Sequence, residues 1–492
     1  MIFPVLVSCR RKGSTVLKRW LADRRILYST TGPRPVSGSR NWPMGPARCC
    51  VMTVSLCLLA GCATYRPSPL SPPEMALEKS DLSALSRDAS LLDRPFLTAQ
   101  AIDLSRPLTP NALAVISVLQ NPDLKALRLK AGVSDAQAFA ARLLPDPTAQ
   151  LGFDKLLSGP DMLNGLAGQI GFDLSALRTR NVTAESARAT RLQVRLDLAW
   201  AEWQTSAAAR LQGARIVGLE RQLGLVRTSA ASADDLLQRS LRAATRGDIS
   251  ASDTDARRLA ALDASDRLRT IDRDLTAARL ELNRLLGLPP SFLLRLAPAA
   301  APSAPPSTDI LFAQAVARRL DLQALRAGYD ASEANTRKAI LDQFPNLSLT
   351  VASARDTAGN VTVGPQIGLS LPLWNRNRGG IAITQATRAQ FHAEYDARLF
   401  QTRADIAAAS ASLATIQRQR TALRAAMPAL ERLADATTRA GMRGDLSKAT
   451  IQTATQTLRD RQIALAALDQ QAAETLISLE LLSGGPSEVW NR

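Results

Sequence analysis

The side chains best able to do covalent or metal chemistry are few and unevenly placed. The chain has 492 residues and five cysteines, Cys9, Cys49, Cys50, Cys57 and Cys62, all within the first 62 positions, and its one histidine is His392. A thiolate is a nucleophile and soft ligand, and an imidazole is a proton carrier and ligand. After Cys62 there is no thiol left, and no second imidazole to partner His392. A disulfide framework, a His/Cys metal site and a Cys-His nucleophile are therefore excluded beyond that point. No Ser-His-Asp grouping and no phosphate-cradling glycine loop is present, so neither catalysis nor a cofactor is expected. Beyond Met75 only Met162, Met427 and Met442 remain, which gives no soft-ligand relay for a metal. His392 falls in a long helical stretch and is expected at its surface rather than in a ligand set.

One thiol does stand in a chemical context. Val51 to Ala60 is an apolar run preceded by Arg48, too short to span a bilayer and of the length of a signal-peptide core. It ends in Leu59-Ala60-Gly61-Cys62, which resembles a bacterial lipoprotein box. The resemblance implies cleavage before Cys62 and transfer of a diacylglycerol to its sulfur. The Pro/Ser-rich stretch Arg66-Pro67-Ser68-Pro69-Leu70-Ser71-Pro72-Pro73 then reads as a tether. Ala63 stands where an aspartate would retain such a protein in the inner membrane, so outer-membrane sorting is expected. Residues 1 to about 43 read as neither signal nor domain but as sequence upstream of a start near Val36 or Met44.

This placement disposes of the charge. The net charge is +17, but the first 61 residues carry ten Lys/Arg against Asp23 alone. The remaining +8 is spread over helices that alternate both signs, and only 4% of the chain is aromatic. A nucleic-acid surface needs a basic patch beside stacking aromatics, and none is expected.

The elements that carry the remaining residues are duplicated. Asp123-Leu124-Lys125-Ala126-Leu127-Arg128 matches Asp321-Leu322-Gln323-Ala324-Leu325-Arg326, Leu144-Pro145 matches Phe344-Pro345, and Gln169-Ile170-Gly171 matches Gln366-Ile367-Gly368. Arg246-Gly247-Asp248-Ile249-Ser250 matches Arg443-Gly444-Asp445-Leu446-Ser447, and Gly287 matches Gly484; from Gln169 onward the offset stays at 197. The organisation read from this is a signal and upstream segment over 1–61, a tether over 62–108, repeats over 109–287 and 308–485, a Pro/Ala linker over 288–307 and a tail over 486–492.

Each repeat predicts a helix, a strand hairpin, a very long helix, a tight turn and a return helix. Period-2 alternation marks strands over 148–155, 169–175, 346–352 and 361–371. Segments 180–245 and 380–427 contain no proline, and a helix of that first length reaches roughly 100 Å. The return helix keeps a 3-4 repeat of Leu268, Ile271, Leu275, Ala278, Leu282 and Leu285, continued by Leu465, Leu468, Ala472, Thr475, Leu479 and Leu482, which is coiled-coil packing. It is shorter than the outgoing helix, and 121–143 and 321–342 have the length to stack on it and fill the gap. At the turns, Gly247 and Gly444 permit a left-handed residue, and Asp248 or Ser250 and Asp445 or Ser447 cap the return helix. Asp234, Asp235 and Asp435 nearby read as a solvated helix face, with a cation-attracting ring as the alternative.

Together the lipoprotein box, duplication, hairpins and paired long helices resemble the TolC-like outer-membrane efflux proteins over 75–485. The local carriers are Asn121-Pro122-Asp123-Leu124, Leu144-Pro145, Phe344-Pro345 and the Arg-Gly-Asp-(Ile/Leu)-Ser turns. The segment Leu371-Pro372-Leu373-Trp374-Asn375-Arg376-Asn377-Arg378-Gly379-Gly380 resembles the strand-to-helix junction of the heavy-metal cation, Czc-type, branch. Leu174 to Arg180 in the first repeat departs from it. At that junction Arg376 and Arg378 are expected to bond carbonyls freed where strand becomes helix, and Trp374 to sit at a membrane interface.

The resemblance implies a mainly α protein with a transmembrane β-barrel, in which a homotrimer pools four strands per protomer into twelve. Its long helices would form a periplasmic tunnel. Arg246, Gly247, Asp248, Ser250, Arg443, Gly444, Asp445 and Ser447 would be the tips that dock a periplasmic adaptor and, through it, an inner-membrane pump. The implied role is a passive exit duct in the outer membrane, for heavy-metal cations. Alternatives are multidrug or organic-solute efflux, type I secretion and, from another class, a periplasmic coiled-coil scaffold.

Overall fold

A computed structural model describes residues 65–70, 72, 82–94, 96–161, 163–298 and 304–490. The chain divides into two compact units, Met1–Ser80 and Asp81–Arg492. The described part of the first is exposed chain without helix or strand; Cys62 and the signal segment lie outside the described residues.

In the second unit the order is α1 (Leu82–Ser90), α2 (Pro110–Gln120), α3 (Pro122–Ala140), β1 (Thr148–Asp154), β2 (Gly165–Asp173), α4 (Ser175–Ala244) and α5 (Ala251–Leu285). The second repeat follows with α6 (Thr308–Arg318), α7 (Leu320–Leu341), β3 (Leu347–Arg355), β4 (Val361–Leu369), α8 (Arg378–Met442) and α9 (Lys448–Ser483). A short 3-10 turn closes the chain at Ser487–Val489. The strand bounds shift from the alternation reading by at most two residues, except at two, where the shift is larger. β2 begins at Gly165 and β3 runs to Arg355, because the small residues Gly165, Ala167, Ser353 and Ala354 fit a pleat without announcing an apolar period.

The 70 residues of α4 make a rod of about 105 Å. The 65 of α8 give about 98 Å. Helix α8 continues through Pro428, which costs it one backbone bond. α3 and α5 lie along one side of α4, while α7 and α9 fill the space between α4 and α8. The short helices stack end to end with the return helices. Asn121, the N-cap of α3, donates from Nδ2 to the carbonyl of Leu285 at the end of α5 (3.0 Å). At the same place in the second repeat, Arg319 Nη1 donates to the carbonyl of Leu482 (3.4 Å).

Each repeat has its own core. Leu113, Ile116, Ile216, Leu282 and Leu286 centre the first, and Leu311, Ile406, Leu413, Leu479 and Trp490 the second. The predicted coiled-coil positions serve them: Leu275, Ala278, Leu282 and Leu285 are buried, as are Ala472 and Leu479. The two flanking segments are less free than a tether and a tail. Leu85, Ala89, Ile102 and Leu108 belong to the first core, and Leu108 forms a bridge with Leu296 in the inter-repeat linker. Trp490 is buried with its Nε1 donating to Ser483 Oγ (2.9 Å).

Candidate functional site

The four strands form one antiparallel sheet in chain order, β1-β2-β3-β4. The register sorts their side chains cleanly. Phe153, Leu166, Arg355 and Val361 share a row; Leu151, Gly168, Ser353 and Val363 share the next; Ala149, Ile170, Val351 and Pro365 the next. Phe172, Leu349 and Ile367, then Leu347 and Leu369, complete that face. The opposite face carries Thr148, Gln150, Gln169, Ser348, Thr350, Thr362 and Gln366 with glycine and alanine between them. One face is thus apolar and the other polar or small, as in a wall between lipid and water. Among the described residues nothing covers the apolar face: Leu151 is 90% exposed and Ile367 73%. Strands β1 and β4 each have one neighbour only, so both edges keep unpaired backbone groups.

Beneath the sheet, the chain must turn from strand into rod. Arg376 (φ 46°) and Asn377 (φ 53°) are left-handed there, the two non-glycine residues with positive φ among those described. Asparagine tolerates that region, and Asn377 Nδ2 donates to the carbonyl of Ala339 at the end of α7 (2.8 Å). A Cβ at Gly380 would collide with the Asn377 amide. The side chain that ties this turn to the end of α7 is thus Asn377, because the left-handed turn aims the short amide at the Ala339 carbonyl. Arginines take this role in the first repeat. Arg180, at the position equivalent to Asn377, donates from Nη2 to the carbonyl of Arg142 (3.2 Å), and Arg178 Nη1 to that of Pro345 (3.0 Å). The departure of 174–180 from the junction motif had concealed that equivalence. Trp374 is 84% exposed, and Asn375 and Gly379 complete the turn.

At the far end of the rods the two tips are near copies. Gly247 (φ 79°) and Gly444 (φ 84°) occupy the left-handed position. Asp248 N bonds Ala243 O and Gly247 N bonds Ala244 O; Asp445 N bonds Ala440 O and Gly444 N bonds Gly441 O. This is the Schellman arrangement that ends a helix on glycine. Ser250 Oγ accepts from Asp253 N (3.1 Å) and Ser447 Oγ from Thr450 N (3.2 Å), capping α5 and α9. The aspartates do not cap. Arg246 Nε donates to Asp248 Oδ2 (2.9 Å) and Arg443 Nε to Asp445 Oδ2 (3.0 Å). Each tip therefore presents an exposed, internally neutralised Arg–Asp pair. Among the nearby acids, Asp235 pairs with Arg239 on its own helix (2.8 Å).

The wall between sheet and tips is fastened by buried and half-buried ion clusters that the sequence did not single out. Glu202 on α4 is fully buried and takes Arg94 Nε (2.7 Å) and Arg128 Nη2 (2.8 Å), while Trp203 beside it meets the ring of Phe96 (5.1 Å). Asp135 on α3 accepts from Arg191 Nε (2.5 Å) and Arg195 Nη2 (2.8 Å) of α4. Partial burial opposes its charge, but the two guanidiniums outweigh that and hold the carboxyl at about 2. His392 is exposed and meets Asp396 of its own helix (3.1 Å). Among the described residues no group of three or more His, Cys, Asp or Glu side chains is placed to hold a metal ion. Nor is any described helix long and apolar enough to cross a membrane.

Residues 311–485 match the family described as "Outer membrane efflux protein". No curated protein matches the chain. Among solved structures, the outer membrane protein VceC of Vibrio cholerae shares 17% identity at a TM-score of 0.62, over 77% of this chain and 96% of that one. The Campylobacter jejuni CmeC outer membrane channel shares 13% at 0.64, over 86% and 94%. The open state of the Neisseria gonorrhoeae MtrE outer membrane channel shares 16% at 0.63, over 86% and 98%. The second repeat thus carries the sequence pattern of the outer membrane efflux family, and the chain as a whole has the fold of outer-membrane channels.

Proposed function

We propose that this protein is the outer-membrane exit duct of a tripartite efflux system. The observation that carries the reading is the two-faced sheet, bare on its apolar side and open at both edges. Four such strands cannot close a barrel, whereas three copies joined β4 to β1 give twelve, which removes every edge and turns the polar face to an aqueous lumen. The rods then continue the lumen through the periplasm. The tips at Gly247 and Gly444 meet a periplasmic adaptor, which links to an inner-membrane pump that supplies the energy. Cys62 carries the acyl anchor, and Trp374 sits at the periplasmic membrane interface. The cargo is divalent heavy-metal cations, a reading supported by the resemblance of 371–380 to the Czc-type junction; organic solutes stand next.

The assembly is tested by fractionation. Heat-modifiable trimers in the outer membrane are expected, and a soluble periplasmic monomer would sink the reading in favour of a coiled-coil scaffold. The tips are tested by Gly247→Pro with Gly444→Pro, since proline cannot take φ near +80°. Loss of efflux with the trimer retained is expected; persistent efflux means the tips dock nothing.

A further inference from the structure

We propose that the loop end of the sheet's apolar face binds the phosphate groups of lipid headgroups, through Arg355 on β3 and Lys155 just past β1. The inference rests on the barrel reading above, in which that face meets lipid.

Arg355 is the one charged residue on the apolar face. It closes the row Phe153, Leu166, Arg355, Val361 at the loop end, and every row between it and the helices is apolar, glycine or serine. Lys155 follows β1 at the same end and is exposed. The nearby acids are engaged or face elsewhere. Asp356 accepts from Asn360 N (2.8 Å) and Asn360 Nδ2 (2.9 Å), closing its own turn. Asp161 accepts from Thr357 Oγ1 across the two loops. Asp154 belongs to the opposite, polar face. Neither Arg355 nor Lys155 forms an ion pair with an acid among the described residues.

The helix end of the sheet is built differently. Its exposed apolar groups are Phe344, Leu371, Leu373 and Trp374; Arg178 there is spent on the carbonyl of Pro345 while lying over the Phe344 ring (5.9 Å), and the exposed Arg376 and Arg378 stand beyond the last strand, in the turn into α8. One rim therefore adds aromatic anchors, while the other sets a lone cation within the apolar face itself. A guanidinium set where an apolar band meets water suits a phosphate oxygen pair held at the depth of a headgroup. Free phosphate would gain the charge contact but not the adjoining Phe153, Leu166 and Val361, whose acyl-chain contacts commit the site to a lipid.

The experiment takes the full chain in detergent, as the oligomer that conducts in a planar bilayer. Native mass spectrometry compares retention of bisphosphorylated lipid A, its dephosphorylated form and inorganic phosphate, for the wild type and Arg355→Ala/Lys155→Ala. The wild type is expected to retain the phosphorylated lipid selectively. The double variant should lose about twentyfold in retention, from two cations that each favour an anionic headgroup roughly fivefold, with conductance unchanged. Equal retention of the two lipids, equal retention by the variant, or displacement by inorganic phosphate at matched concentration would each overturn the site while leaving the duct intact. A chain that forms no conducting oligomer overturns both.

Discussion

The two repeats solve the same mechanical problems with the same backbone and different side chains. Where return helix and short helix stack, Gly287 (φ 63°) and Gly484 (φ 77°) take the same left-handed turn. An added Cβ would stand 2.7 Å from Gln120 O in the first repeat and 3.0 Å from Arg319 N in the second. The first joint is then closed by a neutral amide, Asn121. The second is closed by Arg319, which is 4% exposed, pairs with Asp321 (2.7 Å) and lies over the Trp200 ring (4.8 Å). Further along the rods, the ion pair Arg191–Asp135 recurs as Arg388–Glu333 (3.0 Å). Trp203 is buried under the segment bearing Phe96, whereas its counterpart Phe400 is 79% exposed. Duplication has preserved what the backbone needs, which is few positions with sharp steric demands. Side-chain closures have drifted because several chemistries satisfy one carbonyl.

The sharpest way to break this comparison is at the joints. Arg319→Met strands Asp321 in a buried site with only Arg398 nearby at 3.7 Å, and should cost about 3 kcal/mol. Asn121→Ala removes a helix cap and one buried bond, and should cost about 1–2 kcal/mol. Denaturant midpoints in detergent check the order. Replacing both charges, Arg319→Met with Asp321→Leu, should recover most of the loss; if it does not, the charged joint is more than a substitute for the amide.

A smaller effect is expected at the strand-to-helix turn. Asn377→Ala loses both left-handed tolerance and the bond to Ala339 and should cost about 1–2 kcal/mol. Asn377→Gly keeps the conformation and should cost roughly half as much. Arg180→Ala, in the first repeat, should resemble the glycine variant, because no left-handed residue is at stake there.

The ion pairs predict a pH dependence. Asp135 is held at about 2, below its usual range. Its contribution is therefore complete above about pH 4, the ordinary carboxylate value, and is lost as pH falls through about 2. Asp135→Asn should flatten that portion of an acid-stability profile, and an unchanged profile would show that Arg191 and Arg195 do not bear on folding.

Much of this was legible in the sequence because it follows from periodicity or from sterics. Alternation marked all four strands, length arithmetic required the short helices to stack, and the Gly and Ser residues of the tips announced a helix end and a cap. The role of Asp248 and Asp445 was not legible, since aspartate caps and aspartate pairs use the same residue at nearly the same spacing. The Arg94–Glu202–Arg128 cluster was hidden for another reason. Its members are 74 and 108 positions apart, and burial of a charge leaves no local pattern. The packing of 82–108 was likewise invisible, because scattered leucines beside prolines look the same in a tether and in a strap.

The lone histidine gives the finest test of the duplication. The offset of 197 in the long helices places His392 opposite Arg195, and the offset of 198 that pairs Asp123 with Asp321 in the short helices places Glu333 opposite Asp135. In the first repeat the acid holds two arginines; in the second it holds only Arg388, and His392 turns to Asp396. If the repeats still share a side-chain geometry here, His392→Arg should restore the second contact, since the longer stem spans what an imidazole cannot. The site is well solvated, with His392 69% exposed, so the gain should be no more than about 0.5 kcal/mol. A double-mutant cycle with Glu333→Gln separates that contact from a general effect of added charge. Measurable coupling means the drift from arginine to histidine merely removed one partner from a conserved arrangement. Zero coupling means α7 and α8 have shifted against each other since the duplication, and the likeness of the two ion pairs ends at Arg388.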